Sequence, residues 1–336
     1  MAQDPLAARD ASRLLVLERT SGTVSHRSFS DLPEILRPGD LLVTNRSRVL
    51  PARLLGLREG GGAAEILLVR RRGPDTWDAL VRPGRRLRPG AIVAIAAGFR
   101  VRVEPPDPSP DPAAVRKSTH RVRLLLDGLA PDAALERHGH VPLPPYIRRP
   151  DLPSDRERYQ TVYAREPGSV AAPTAGLHFT AELLERLRAR GIERAEIVLH
   201  VGPGTFRPVE VDDVRAHRVD AEPFSVPEDT AAAFGRARSE GRRVVAIGTT
   251  TTRVLESALD PEGRLRPGDG ETALVILPGF RFRAVDALVT NFHLPRSSLL
   301  LLVSAFAGRE RILAAYAEAV QRRYRFYSYG DAMLLV

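Results

Sequence analysis

Between residues 63 and 127 the chain reads as five short strands in a row: AEILLVR (64–70), WDALVRP (77–83), AIVAIAA (91–97), FRVRVEP (99–105) and HRVRLLLD (120–127). Turn-forming residues separate them and no helical period intervenes, so they bury their apolar faces against one another. This predicts a small all-β barrel or sandwich. On both sides the pattern changes. GDLLVTN (39–45) comes before it, and AEIVLHVG (195–202), RVVAIGTT (243–250), TALVILPG (272–279) and DALVTNFH (286–293) come after it, interleaved with helical stretches. Alternation of that kind implies a largely parallel, helix-flanked sheet or barrel. The expected fold class is therefore α/β: a large barrel-like α/β domain, discontinuous in sequence (1–57 and 141–336), with a smaller all-β barrel inserted at 58–140.

Several helices carry clear end signals. Thr180 is placed to cap a helix with Leu183, Leu184 and Leu187 on one face and Gly191 as its stop. Further helices are expected over 251–259, 298–307 and 309–323, the last with Ile312, Leu313, Tyr316 and Val320 facing inward. Two loops stand out: RPGRRLRPG (82–90), with Arg82, Arg85, Arg86 and Arg88, and the Pro-rich 105–112, expected to be exposed. The first reads either as a phosphate contact or as a solvated hairpin tip.

The chain has no cysteine, which excludes disulfides, thiol nucleophiles, zinc-thiolate sites and iron–sulfur clusters. The motifs of P-loop nucleotide enzymes, HExxH metalloproteases, GxSxG hydrolases and protein kinases are likewise missing, and no metal site is expected. His138 and His140 read as a helix exit. A formal net charge of +9, almost all of it arginine because Lys117 is the single lysine, favours a polyanionic partner such as RNA. No apolar run is long enough for a membrane span and no signal region opens the sequence, so a soluble, cytoplasmic protein, with no membrane partner and monomeric, is expected.

Four apolar strands end abruptly in polar residues: Thr44 and Asn45, His200 and Thr205, the run from Thr249 to Arg253, and Thr290, Asn291 and His293. The loop AAPTAGLHFT (171–180) adds Thr174 and His178. In α/β folds the carboxyl ends of parallel strands share one rim, where ligands bind. Each element also has a structural reading: His200 as a satisfied strand-end residue, the threonines as helix caps, the asparagines as backbone partners. A non-catalytic RNA-binding protein explains the charge but not the polar rim. An ordinary methyltransferase lacks its glycine-rich turn here.

The stretches RPGDLLVTNRSRVLPARL, VPLPPYIRRP, GSVAAPTAGLHFT, LHVGPGTFRPV, GTTTTRVLES, DALVTNFHLPRSSLLLLVSAFAG and YRFYSYGDAMLL resemble, in order, the S-adenosylmethionine:tRNA ribosyltransferase-isomerases of queuosine biosynthesis. The resemblance implies transfer and isomerisation of the ribosyl part of S-adenosylmethionine onto 7-aminomethyl-7-deazaguanine at the wobble position of tRNA. The products implied are epoxyqueuosine-tRNA, adenine and methionine. S-adenosylmethionine is then a cosubstrate and no prosthetic group is expected.

On that basis His178 is the first candidate for general acid or base, with His200 and His293 as alternatives. Asn45, Arg48, Thr174, Thr205, Thr249, Thr250 and Asn291 are expected to contact the cosubstrate, with Arg207 and Arg253 gripping its carboxylate. Arg53 is expected to contact RNA, and Tyr324, Phe326 and Tyr329 either stack on a splayed base or pack in the core. Arg46 and Asp220 occupy positions where the family tends to show Asn and His.

Overall fold

The computed structural model describes residues 1–105, 119–206 and 208–336. Most of the Pro-rich stretch 105–112 falls outside them. The strands, in chain order, begin with β1 (Arg13–Leu17), β2 (Val24–Ser28), β3 (Leu41–Asn45) and β4 (Ser47–Val49). There follow β5 (Arg53–Arg58), β6 (Ala63–Arg71), β7 (Thr76–Arg82), β8 (Ile92–Ala96), β9 (Phe99–Val103) and β10 (His120–Leu126). The remainder are β11 (Glu166–Ser169), β12 (Glu193–Leu199), β13 (Glu222–Val226), β14 (Val244–Ile247), β15 (Gly268–Thr272), β16 (Ala287–Asn291) and β17 (Ala332–Leu335).

Nine strands form one mixed sheet in the order β15-β13-β12-β3-β14-β16-β17-β1-β2. Its centre is parallel, as expected: β12, β3, β14 and β16 run side by side in the same direction. The flanks are not, because β13 and β15 pair antiparallel at one end and β17 runs antiparallel to β16 at the other. The central strands are apolar on both faces, and their period of two sends alternate residues to opposite sides. Leu41, Val43, Val244 and Ala246 pack on one side; Leu42, Val245 and Ile247 pack on the other.

The helices cover both faces. Helices α1 (Leu32–Ile35), α2 (Pro131–His138) and α3 (Asp155–Arg158) are short, and α4 (Ala181–Ala189) is the helix predicted behind Thr180. Thr180 Oγ1 accepts from the Leu183 amide at 3.0 Å, and Leu183 and Leu187 are buried with α1 on one face of the sheet. The opposite face carries α5 (Glu228–Ser239), α6 (Thr249–Ser257), α7 (Ser298–Ala307) and α8 (Arg309–Gln321). Helix α6 starts two residues earlier than expected, since Gly248, at φ +90°, supplies a turn at the end of β14 that a residue with a Cβ resists. In α8 the buried residues are Ile312, Ala315 and Ala319, whereas Leu313 and Val320 face solvent. The small alanines let α8 pack closely, so its inward face is turned away from the one drawn through the larger side chains.

The inserted barrel is closed, in the order β10-β7-β6-β5-β8-β9, with every pair antiparallel. It contains the five predicted strands and one more, β5, so its first strand begins at Arg53 rather than after residue 57. Without β5 the edges of β6 and β8 would stay unpaired, a requirement that local pattern does not show. Leu54, Ile66, Leu68, Val93, Val101 and Val122 fill the interior, and α2 covers it with Ala134 and Leu135. The outgoing strand β4 and the returning strand β11 pair in parallel beside the large sheet. Among the described residues no helix is long and apolar enough to cross a membrane.

Candidate active site

The loop 171–180 lies against the ends of β14 and β16. Thr174–His178 forms a 3-10 turn, and Thr174 lines a cavity of about 40 Å³ together with Thr249, Thr250, Thr290, Asn291 and His293. The threonine run does not cap α6 through its side chains. Thr251 and Thr252 donate back to the carbonyls of Ile247 (2.8 Å) and Gly248 (3.2 Å), while Thr250 Oγ1 is buried without a partner. His293 is held by Thr290 Oγ1 at 2.7 Å from its Nε2.

His178 sits behind this cavity rather than in it. Asn291 Nδ2 donates to its Nε2 (3.0 Å), so the ring proton resides on Nδ1 and goes to Ser12 Oγ (2.7 Å). Phe29 stacks on the ring at 5.0 Å. Burial, with Arg9 and Arg325 nearby, brings the His178 pKa down to about 3, and burial alone does the same to His293. Both imidazoles are therefore neutral near pH 7. With both nitrogens engaged, His178 orients Asn291, and the proton-carrying role expected of it does not fit this geometry.

The burial of these two rings makes stability depend on pH. Below about pH 6.5 the unfolded chain takes up protons that the folded rings refuse until about pH 3. Stability should then fall on acidification across that window, by up to about 1.4 kcal/mol per pH unit for each ring. Urea midpoints at pH 7 and pH 5 measure the slope, and His178→Gln should flatten it.

A second, much larger cavity of about 860 Å³ adjoins the first, the two sharing Leu299. It lies between the barrel wall, with Arg71 and Trp77, and the end of β12 and the middle of α6, with His200 and Arg253. The wall is tied across by Arg70 of β6 to Glu271 of β15 at 2.7 Å. Arg253 and Glu222 are both buried in this region and form an ion pair. Arg253 also donates to the carbonyls of Leu274 (3.0 Å) and Thr272 (3.3 Å), and Glu222 accepts from the Gly202 amide (2.7 Å). Its guanidinium is thus committed within the protein, against the carboxylate grip expected of it. Arg48, the exposed residue of the otherwise buried strand β4, reaches the same cavity.

His200 lies over the irregularity in β11 at Gly168, which has φ +149°. A Cβ there would come within 2.6 Å of the His200 ring, so the close approach requires glycine. The Nδ1 of His200 is buried and has no hydrogen-bond partner, and burial lowers its pKa below the usual imidazole value against a smaller opposing pull from Glu166. His200 lines the cavity with the rest of its ring, Nδ1 being buried against Gly168, and a titratable ring so placed is the feature expected of a general base.

Other expected site residues lie elsewhere. Asn45 uses its whole amide on backbone, donating to Leu199 O (3.0 Å) and accepting from the amides of Leu199 and Ser47 (both 3.1 Å). It joins β3 to β12 and lines neither cavity. Arg53 pairs with Glu65 inside the barrel sheet at 3.0 Å. Tyr324 and Tyr329 are buried, their hydroxyls meeting His26 Nδ1 (2.7 Å) and Asp155 Oδ1 (2.9 Å), and Phe326 packs on Phe292 at 4.8 Å. Tyr324 belongs to the main core and Tyr329 to a separate cluster, while Phe326 is half-buried against the first. The Thr205 side chain and Arg207 fall outside the described residues. Gly168, Glu222 and Ser12 escaped the sequence reading. A glycine within the strand-like EPGS was the one visible sign of a close approach.

Residues 1–335 match the family model described as "Queuosine biosynthesis protein". The S-adenosylmethionine:tRNA ribosyltransferase-isomerase of Symbiobacterium thermophilum is 53% identical over 337 residues, covering 100% of this chain and 96% of the relative. That of Rhodospirillum rubrum is 51% identical, covering 100% and 94%. A crystal structure of S-adenosylmethionine tRNA ribosyltransferase from Thermotoga maritima superposes with a TM-score of 0.54 at 37% identity, over 100% of this chain and 96% of that one. Matched along nearly its whole length by one family, and sharing half its residues with members of that family, the chain belongs to the queuosine biosynthesis proteins.

Proposed function

We propose that the protein transfers and isomerises the ribosyl part of S-adenosylmethionine onto 7-aminomethyl-7-deazaguanine in the anticodon of tRNA, yielding epoxyqueuosine, adenine and methionine. The observation that carries this reading is the cavity of about 860 Å³ with the titratable His200 ring in its lining. It has room for a nucleoside and an extruded base together. The sulfonium of the cosubstrate makes the adjoining ribose methylene acidic, and its departure as methionine lets the epoxide close.

The chain's own groups supply positioning and proton movement. His200, whose burial favours the neutral ring, accepts the ribose proton and can return it to the leaving adenine. The buried Glu222–Arg253 pair holds the Gly202 amide and so fixes the loop that follows His200. Outside, Arg85, Arg86 and Arg88 stand exposed on the barrel loop while Leu87 between them is buried as an anchor. That arrangement suits contact with tRNA phosphates. A tRNA substrate supports a cytoplasmic location.

The test uses tRNA bearing 7-aminomethyl-7-deazaguanine and cosubstrate labelled separately in ribose and methyl. Ribose label on RNA together with free methionine is the expected result. Methyl label on RNA would make it a methyltransferase, and RNA binding without label a binding module; either overturns the assignment.

A further inference from the structure

The small cavity beside the main one has a chemistry of its own. It is lined by the first turn of α6, whose amides have no partner within the helix and whose dipole favours negative charge. Two side-chain atoms there are buried and unpartnered: Thr250 Oγ1, in a residue 6% exposed, and Asn291 Oδ1, in one 3% exposed. Burying such groups unpaired costs free energy, which a ligand that hydrogen-bonds them recovers. Among the described residues no carboxylate, lysine or arginine lines the cavity. It therefore offers donors from the helix end and Thr250 on one side, and an acceptor from Asn291 on the other.

We propose that this cavity seats the α-amino-carboxylate head of the cosubstrate's methionine chain. The carboxylate lies on the α6 N-terminus and the Thr250 hydroxyl, and the ammonium on Asn291 Oδ1. The chain continues past Leu299, where the sulfonium and adenosine enter the larger cavity. The orientation of Asn291 is set from behind by His178 and by a second donation to Tyr327 O at 3.3 Å. Arg253, expected from sequence to take the carboxylate, is paired with Glu222.

The assignment rests on S-adenosylmethionine being the substrate, and the experiment separates the two. Binding of S-adenosylmethionine, its decarboxylated counterpart and 5′-methylthioadenosine is measured calorimetrically on the full chain. The wild type should prefer S-adenosylmethionine over the decarboxylated ligand by roughly tenfold or more, the yield of hydrogen bonds to a charged group. Thr250→Val should abolish most of that preference while leaving 5′-methylthioadenosine affinity unchanged, and Thr250→Ser should restore it. A wild type that transfers ribose yet shows no preference sinks the cavity assignment alone, as does a Thr250→Val that weakens all three ligands equally or none. A wild type that neither binds S-adenosylmethionine nor transfers ribose removes the functional reading beneath it. Because the wild-type comparison needs no variant, a misfolded Thr250→Val still leaves a decisive measurement.

Discussion

Replacing His200 by Gln is expected to lower kcat by about 10²–10⁴-fold, the usual contribution of a general acid–base group, with little change in the affinity for S-adenosylmethionine. Glutamine keeps the ring's approximate volume and polarity but cannot titrate. The pH profile provides the stronger test. The folded pKa of His200 lies below the ordinary imidazole value, because burial outweighs the pull of Glu166. Wild-type kcat/KM should therefore fall as pH drops through that lowered pKa, as the base becomes protonated, and the acid limb should be missing from the variant. Gly168→Ala should reproduce much of the loss without touching the imidazole, since its Cβ would stand within 2.6 Å of the ring and push it from its place. Wild-type turnover in His200→Gln would end the assignment.

Glu222→Ala should produce the largest loss of stability, about 3–5 kcal/mol, the cost of leaving a buried charge unpaired. Arg253 is 7% exposed and its partner 5%, so the charge left behind is poorly hydrated. The same change frees the Gly202 amide from its acceptor, loosening the loop after His200, so activity should fall as well. Urea unfolding gives the first quantity. Pairing Glu222→Gln with Arg253→Met, which removes both charges, should recover a substantial part of the stability; if the double variant is no more stable than Glu222→Ala, the unpaired charge is not the cause.

Much of the fold was legible in the sequence because it is encoded locally. The barrel strands announce themselves by their alternation, α4 by Thr180 and its leucine face, and the central parallel strands by apolar runs ending in polar groups. What local pattern cannot report is closure. The strand RLLGLR has the composition of the segment before it, and only pairing on both sides, with β6 and with β8, assigns it to the barrel. The outward turn of Leu313 and Val320 has a similar origin, since the face a helix buries is chosen by the neighbour it packs on.

The site divides along the same line. By itself the sequence determined that thiol chemistry is excluded, and it pointed to His200, Thr250, Asn291 and Arg253 as candidates because polar residues ending parallel apolar strands share one rim. Only the tertiary structure decided which of these groups remain available. Asn45 and Arg253 find partners 154 and 31 residues away, and His178 finds Ser12 across 166, pairings with no trace in local spacing. A buried polar atom is functional or structural according to whether the fold supplies its partner, and that partner arrives through space rather than along the chain.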